Sequence, residues 1–388
     1  MSLKPDPCGD YLGLRGYPPI HRDDVLGVWV VTGFNEVTAM LRHPGLSSSW
    51  PDRGNTKLHA YPGGADGNMR TSDTVRRWFM FMDGERHRIL RRIVAPLFAA
   101  DRIAELEPFI GRIVDELLDG VTDGHLDVMA DLVIPLSSRA ICRILGLPSG
   151  VAPRLHGWAQ DVAALLIADY LPQVVERGTE ALRQIEEAVG AAQRRPGLPG
   201  DSGIGLLMRA ERAGLIERLD ISATASLLVY AGFETTSTFL GKAVRAVLHA
   251  GDWPALTETD PAAAVEELLR FDTSVQQVAR VARNPVEISG TRIERGDLVL
   301  LMLGAANRDS RAFVEPDSLD LARVRKRHLA FGQGAHYCLG PGLARLEARV
   351  VIDRLTSRWK HTEPASPPVA RKHYGVSVLE HVEIQLAR

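Results

Sequence analysis

The chain has 388 residues, 45% apolar and 24% charged, which suits a globular protein with a sizeable core and argues against intrinsic disorder. A net charge of −2 offers no whole-chain attraction to nucleic acid or to an anionic membrane. The three cysteines, Cys8, Cys142 and Cys338, form no CxxC pair, so neither a disulfide framework nor a structural zinc site is expected.

Near the N-terminus no apolar run has the length of a signal peptide or anchor, and the longest apolar stretch, Leu298 to Ala306, is too short to span a bilayer. A cytoplasmic protein with no membrane segment is expected, with residues 1–388 forming a single domain. A strand signal covers Val28 to Thr32. Residues 50–74, rich in glycine, proline, asparagine and aspartate, read as a long surface loop. In Asp83 to Arg92, His87 and Arg91 stand four apart and share one face of a helix. Taken locally they are a solvated basic face.

Apolar residues at three- and four-residue spacing predict helices over 101–119, 131–146 and 174–193. Arg195 to Gly203 reads as a short helix–helix loop. The next pattern runs from Asp220, a plausible cap, to Gly251, a plausible stop. About thirty residues at 1.5 Å each give a rod of roughly 45 Å. Its centre holds Ala231-Gly232-Phe233-Glu234-Thr235-Thr236, and the polar run continues through Thr238. Polar residues at consecutive positions wrap all round a helix, so some face inward, where an unpaired polar group is costly. Such a break in the local rules marks a candidate functional site.

A further helix is capped by Asp260 with Pro261 in its first turn. It carries Glu267 and Arg270 three apart, which alone read as a surface ion pair. Short strands follow within Val286 to Leu303, broken at Ser289-Gly290 and Arg295-Gly296, and again over Val376 to Leu386.

The densest signal is Phe331-Gly332-Gln333-Gly334-Ala335-His336-Tyr337-Cys338-Leu339-Gly340. The glycines permit positive φ and close approach of backbone to something bulky. A helix over Pro341 to Val350 follows, so Cys338 precedes a helix N-terminus, where thiolate is favoured. Three readings stay open on local grounds: an ordinary buried thiol, a ligand to haem or metal, and a nucleophile served by His336.

At every fixed position this stretch resembles the haem-binding loop of the cytochrome P450 family, Phe-Gly-x-Gly-x-(His or Arg)-x-Cys-x-Gly. Three further motifs in the family's order extend the resemblance over nearly the whole chain. The resemblance implies a mainly α cytochrome P450 fold, a large helical domain with a small β-rich region. It implies haem b held by Cys338, with Phe331, Gly332, Gly334, His336 and Gly340 around it. His87, Arg91, Arg280 and His336 match propionate ligands. Glu234 and Thr235 match the acid–alcohol pair that delivers protons to dioxygen at the haem, in a helix opened locally over it. Glu267 and Arg270 match a buried structural pair, supported by a meander from Ala306 through Asp320.

By position, Leu227, Tyr230, Ala231, Phe233, Gln276, Val278 and the turn near Val376 to Val378 match the substrate pocket. Two departures stand out: Ser274 where many relatives have proline, and Pro341 in place of a commoner small residue. No flavin or nicotinamide fingerprint is visible, so the resemblance implies electrons from NAD(P)H through a ferredoxin reductase and a ferredoxin. Arg323, Arg325, Lys326 and Arg327, with Arg88 and Arg92, are either a dock for that acidic partner or a solvated charge run. The expected product is an oxidised small organic molecule, a natural-product intermediate, made by a monomeric monooxygenase. A peroxide-driven enzyme and a non-catalytic haem sensor are the alternatives.

Overall fold

A computed structural model of the protein describes residues 13–14, 16–49, 73–167, 171–324, 327–372 and 377–387. Most of the predicted loop 50–74, together with Arg325, Lys326 and Val376, lies outside the described residues. The longer helices are α1 (Phe34–Arg42), α2 (Gly84–Val94), α3 (Ala100–Asp119), α4 (Ile134–Leu145) and α5 (Ala152–Ile167). They continue with α6 (Pro172–Arg194), α7 (Gly203–Arg212), α8 (Arg218–Ala250), α9 (Pro261–Phe271) and α10 (Pro341–Arg358). The strands are short: β1 (Ile20–Asp23), β2 (Val28–Val31), β3 (Leu46–Ser47), β4 (His125–Asp127), β5 (Val278–Ala282) and β6 (Val286–Ile288). After them come β7 (Thr291–Ile293), β8 (Leu298–Leu301), β9 (His361–Pro364), β10 (Val369–Lys372), β11 (Ser377–His381) and β12 (Glu383–Ala387). The fold is mainly α with small β regions, and among the described residues no helix is long and apolar enough to cross a membrane.

The residues group into two compact units, Met1–Leu46 with Glu107–Val133 and Thr235–Arg388, and Ser47–Leu106 with Ile134–Glu234. The first unit holds a five-stranded sheet in the order β1-β2-β8-β5-β3. β2 and β8 pair in parallel, while β5 runs antiparallel to β8 and sets Arg280 opposite Val299. Val31, Val37, Met40, Val299, Leu301 and Leu329 form the dry centre of this unit, with Val278 packed at its margin. In the second unit α5 and α6 pack on each other. Buried Val174, Gly178, Ala181, Leu182, Ile185, Val189 and Ala192 recur every three or four residues along α6 and make that one face.

Two element boundaries differ from the sequence reading, each for a backbone reason. The helix expected over 131–146 is split: Val128–Val133 is a π-helical turn and α4 begins at Ile134. Pro135 has no N–H to donate into the preceding turn, so the α-ladder restarts there. α8 begins at Arg218 rather than after Asp220. The Asp220 carboxylate serves the helix start from inside the first turn, accepting from the Glu217 N–H at 2.9 Å.

The Asp260 cap is as expected, with Asp260 Oδ2 accepting from the Ala263 N–H at 3.1 Å and Pro261 in the first turn. Glu267 and Arg270 are 4% and 2% exposed, which matches the buried pair that the resemblance implies and overturns the surface reading from local spacing. Arg270 donates to both Glu267 oxygens at 2.7 Å and to the carbonyls of Asn307, Pro316 and Ser318 at 3.0, 2.8 and 3.2 Å. Glu267 also accepts from the Asp320 N–H at 3.1 Å and Arg323 Nε at 3.0 Å. The meander over residues 306–320 is therefore hung on a side chain of α9.

Next to that pair, Glu266 accepts from Arg345 of α10 at 2.6 and 3.0 Å and lies 3.3 Å from His328 Nε2. Burial pushes its carboxyl upward, but the hydrogen bonds from His328 and Arg345 outweigh that and hold it at about 2, below its ordinary 4.5. The folded value is the lower one. The pair's stabilisation is therefore full above pH 4.5 and is lost as pH falls toward about 2. Urea midpoints across that acid window should fall steeply for the parent chain and less steeply for Glu266→Gln.

Candidate active site

Within the first unit the Cys338 loop is a closed arch. The Cys338 N–H donates to the Phe331 carbonyl at 2.9 Å, and inside that span the Tyr337 N–H donates to Gly334 O at 3.1 Å. Gly334 has φ +76°, and a Cβ there would sit 2.7 Å from the Leu41 carbonyl oxygen at the end of α1, so no other residue fits without a shift. The arch is anchored at its base. The Leu329 N–H donates to Asn307 Oδ1 at 2.7 Å, and the Arg345 guanidinium lies over the Phe331 ring at 4.7 Å.

α10 starts at Pro341, with Gly340 as its N-cap and the Gly340 carbonyl accepting from the Ala344 N–H at 3.1 Å. Cys338 therefore sits at the entry of an eighteen-residue helix, as expected. Its thiol is exposed, which removes the reading of an ordinary buried cysteine. Cys142, by contrast, is buried in α4, where burial pushes its thiol up to about 11. Also in this unit, Arg280 on β5 is 8% exposed and donates to the Ala279 carbonyl at 2.8 Å.

In the second unit His87 and Arg91 lie one turn apart on α2. His87 is 3% exposed and packs near Phe79, while Arg91 is half-buried, so the pair is not a solvated basic face. The start of α2 and the segment leading into it are fastened to the beginning of α8 and the residue before it. Arg77 reaches Glu217 and Asp220 at 2.7 and 3.1 Å, and Arg86 reaches Asp220 at 2.7 Å. Trp78, fully buried, donates from Nε1 to Ser226 Oγ at 3.0 Å and stacks on Tyr230 at 5.3 Å. The sequence reading missed Trp78 and Asp220 in this role. A tryptophan and two arginines beside the His87 motif, spaced to meet a helix first turn, were the available signal.

α8 runs unbroken from Arg218 to Ala250, so the local opening implied by the family resemblance is not seen. Its polar centre is inward, as expected: Glu234, Thr236, Ser237 and Thr238 are buried and Thr235 is half-buried. Burial and the Glu234 carboxylate both push the Tyr230 phenol upward, which keeps it a neutral donor.

Two of the substrate-pocket candidates are placed otherwise. Leu227 is 2% exposed, and Phe233 is fully buried with its ring 5.3 Å from His156. Both are core residues of the second unit, where an apolar side chain gains most by packing away from water. Tyr230, Ala231, Gln276 and Val278 keep part of their surface. Arg323 is likewise no free docking charge, since it is tied to Glu267 and to the Val314 carbonyl at 2.6 Å. Arg88, Arg92 and Arg327 are exposed.

The donor set fits a haem. Within the first unit an accessible thiol at a helix entry suits the iron, and Arg280 and His336 carry nitrogen donors that suit a propionate.

The family model described as "Cytochrome P450" matches residues 262–386. The chain is 32% identical over 374 residues to "Cyclomarin C epoxidase CymV" of Salinispora arenicola, covering 92% of this chain and 89% of that one. It is 30% identical over 395 residues to "6-deoxyerythronolide B hydroxylase" of Saccharopolyspora erythraea, covering 97% and 95%. Among solved structures it superposes on that of CalO2 with a TM-score of 0.89 and 31% identity, over 98% of this chain and 96% of the other. An exposed cysteine in a glycine arch and a polar helix centre agree with relatives matched over at least 95% of both chains: the chain belongs to the cytochrome P450 family of monooxygenases.

Proposed function

We propose that this chain, working as a single catalytic domain and a cytoplasmic monomer, oxidises a natural-product intermediate at a haem held by Cys338. The observation that carries the reading is the accessible Cys338 thiol at the head of α10, in an arch that its own backbone hydrogen bonds keep closed. The epoxidase and hydroxylase among its relatives support the substrate class. When bound, haem supplies the activation of dioxygen, one oxygen atom entering the substrate and the other leaving as water with two electrons and two protons.

The residues divide that work. Cys338 as thiolate would hold the iron and supply it with electron density. His87, Arg91, Arg280 and His336 hold the propionates, and Phe331, Gly332, Gly334 and Gly340 shape the arch against the macrocycle. Glu234 and Thr235 pass protons along the inward-facing polar turn of α8. Tyr230, Ala231, Gln276 and Val278 orient the substrate, Tyr230 as a neutral hydrogen-bond donor. Electrons come from NAD(P)H through a ferredoxin reductase and an acidic ferredoxin, for which exposed Arg88, Arg92 and Arg327 are the candidate contacts.

The test is a comparison of electron sources. Haem-loaded protein with a ferredoxin, its reductase and NAD(P)H is expected to consume reductant faster when a ligand that shifts the Soret band is added. The product should gain one oxygen atom. Turnover with hydrogen peroxide alone, and none with ferredoxin, would make it a peroxide-driven enzyme. Ligand binding with no reductant consumption from either source would make it a haem sensor.

A further inference from the structure

The segment that follows α9 is fastened to α8 by side chains that the sequence motifs do not mark. Lys242, completely buried, donates from Nζ to Asp272 Oδ1 at 2.8 Å and to the Thr273 carbonyl at 3.1 Å. Arg245 takes the other Asp272 oxygen at 2.6 Å. Seven residues earlier on α8 than Lys242, the Thr235 carbonyl accepts a hydrogen bond from Ser274 Oγ at 2.7 Å. Positions 235, 242 and 245 fall on one face of a helix, and ten residues of it span roughly 15 Å.

The ion pair makes this contact rigid. A buried ammonium is tolerated only with its charge matched, so Asp272 has one place to be. On either side of it the segment is pinned by its backbone as well. The Phe271 carbonyl accepts from Arg308 at 2.9 and 2.6 Å, and the Gln276 carbonyl accepts from the Gly304 N–H at 3.1 Å. Thr273 and Ser274 are 2% and 6% exposed, so solvent competes little for the serine hydroxyl.

A helical carbonyl has two lone pairs, and the intrahelical bond uses one. A second, fixed donor on the Thr235 carbonyl therefore sets the peptide plane on the C-terminal side of Thr235. That plane governs where the Thr235 side chain points. We infer that Ser274 is a positioning residue for oxygen activation: held by the Lys242–Asp272–Arg245 cluster, its hydroxyl fixes the Thr235 backbone and with it the direction of the Thr235 hydroxyl. This rests on the reading of Thr235 as a proton carrier. It also gives a role to the serine that stands where many relatives have proline, since a proline has no hydroxyl to donate.

The experiment compares Ser274→Ala, Ser274→Thr and Thr235→Ala with the parent chain, each loaded with haem. Two quantities are read: amide hydrogen exchange in the α8 peptide around residues 235–240, and the fraction of reductant recovered as hydrogen peroxide with ferredoxin and reductase. In Ser274→Ala the exchange in that turn should rise about fivefold, the loss of one hydrogen bond, with α10 unchanged. The peroxide fraction should rise toward that of Thr235→Ala. Ser274→Thr, which keeps the hydroxyl, should restore both. Parent-like exchange and peroxide in Ser274→Ala, beside a raised peroxide fraction in Thr235→Ala, would overturn the role of Ser274 alone. A parent-like peroxide fraction in Thr235→Ala would overturn the proton-carrier reading itself.

Discussion

Cys338→Ala is expected to abolish monooxygenase turnover and to remove the red-shifted Soret band from the reduced, carbon monoxide-treated protein. That band reports a thiolate-held haem iron, and of the two described cysteines Cys338 alone is accessible. The change is informative because it should leave the polypeptide nearly untouched. The arch is closed by the backbone N–H of residue 338, which alanine retains, and the side chain is exposed. Apo-protein stability should therefore move by no more than about 0.5 kcal/mol. The haem-loaded forms should differ far more. A ligand that binds only the folded state adds about 4 kcal/mol when its free concentration is a thousand times its Kd, and weakening the iron bond cuts into that. Cys142→Ala is the control, expected to keep the band. A red-shifted band surviving in Cys338→Ala would refute the assignment.

Arg270→Leu is expected to cost about 3–5 kcal/mol, the range for removing one partner of a buried ion pair. Against a total stability of about 5–15 kcal/mol, that removes between about a fifth and all of the margin. The loss goes beyond the pair. Three carbonyls of the meander, at Asn307, Pro316 and Ser318, lose the donor they share, and Glu267 keeps only Arg323 and the Asp320 N–H. Arg270→Lys should rescue little, because one ammonium cannot span a bidentate carboxylate and three separate carbonyls. The measurement is urea unfolding at constant m. Because Asn307 also holds the Leu329 N–H at the foot of the Cys338 arch, haem affinity should fall together with stability. A midpoint within error of the parent chain would show that the meander does not depend on α9.

Local sequence determined the features that short-range chemistry enforces. Asp260 and Pro261 start α9 because an oxygen cap and a missing N–H both suit a first turn. The glycines around Cys338 pointed to positive φ, which Gly332 and Gly334 adopt and which glycine takes at no steric cost. The polar centre of α8 announced buried function, because a run of consecutive polar residues cannot all face water. Tertiary structure decided everything that depends on which face of an element meets another. Glu267 and Arg270 read locally as a surface pair. Burial followed only once a distant meander supplied carbonyls for the guanidinium. Phe233 and Leu227 each sit three residues, just under one turn, from Tyr230 on the same helix, yet rotation about the α8 axis sends them into the core. Lys242 in an apolar run was the one legible hint of the cluster with Asp272. Its partner lies thirty residues away, a distance that hydrophobic periodicity does not encode and that only packing closes.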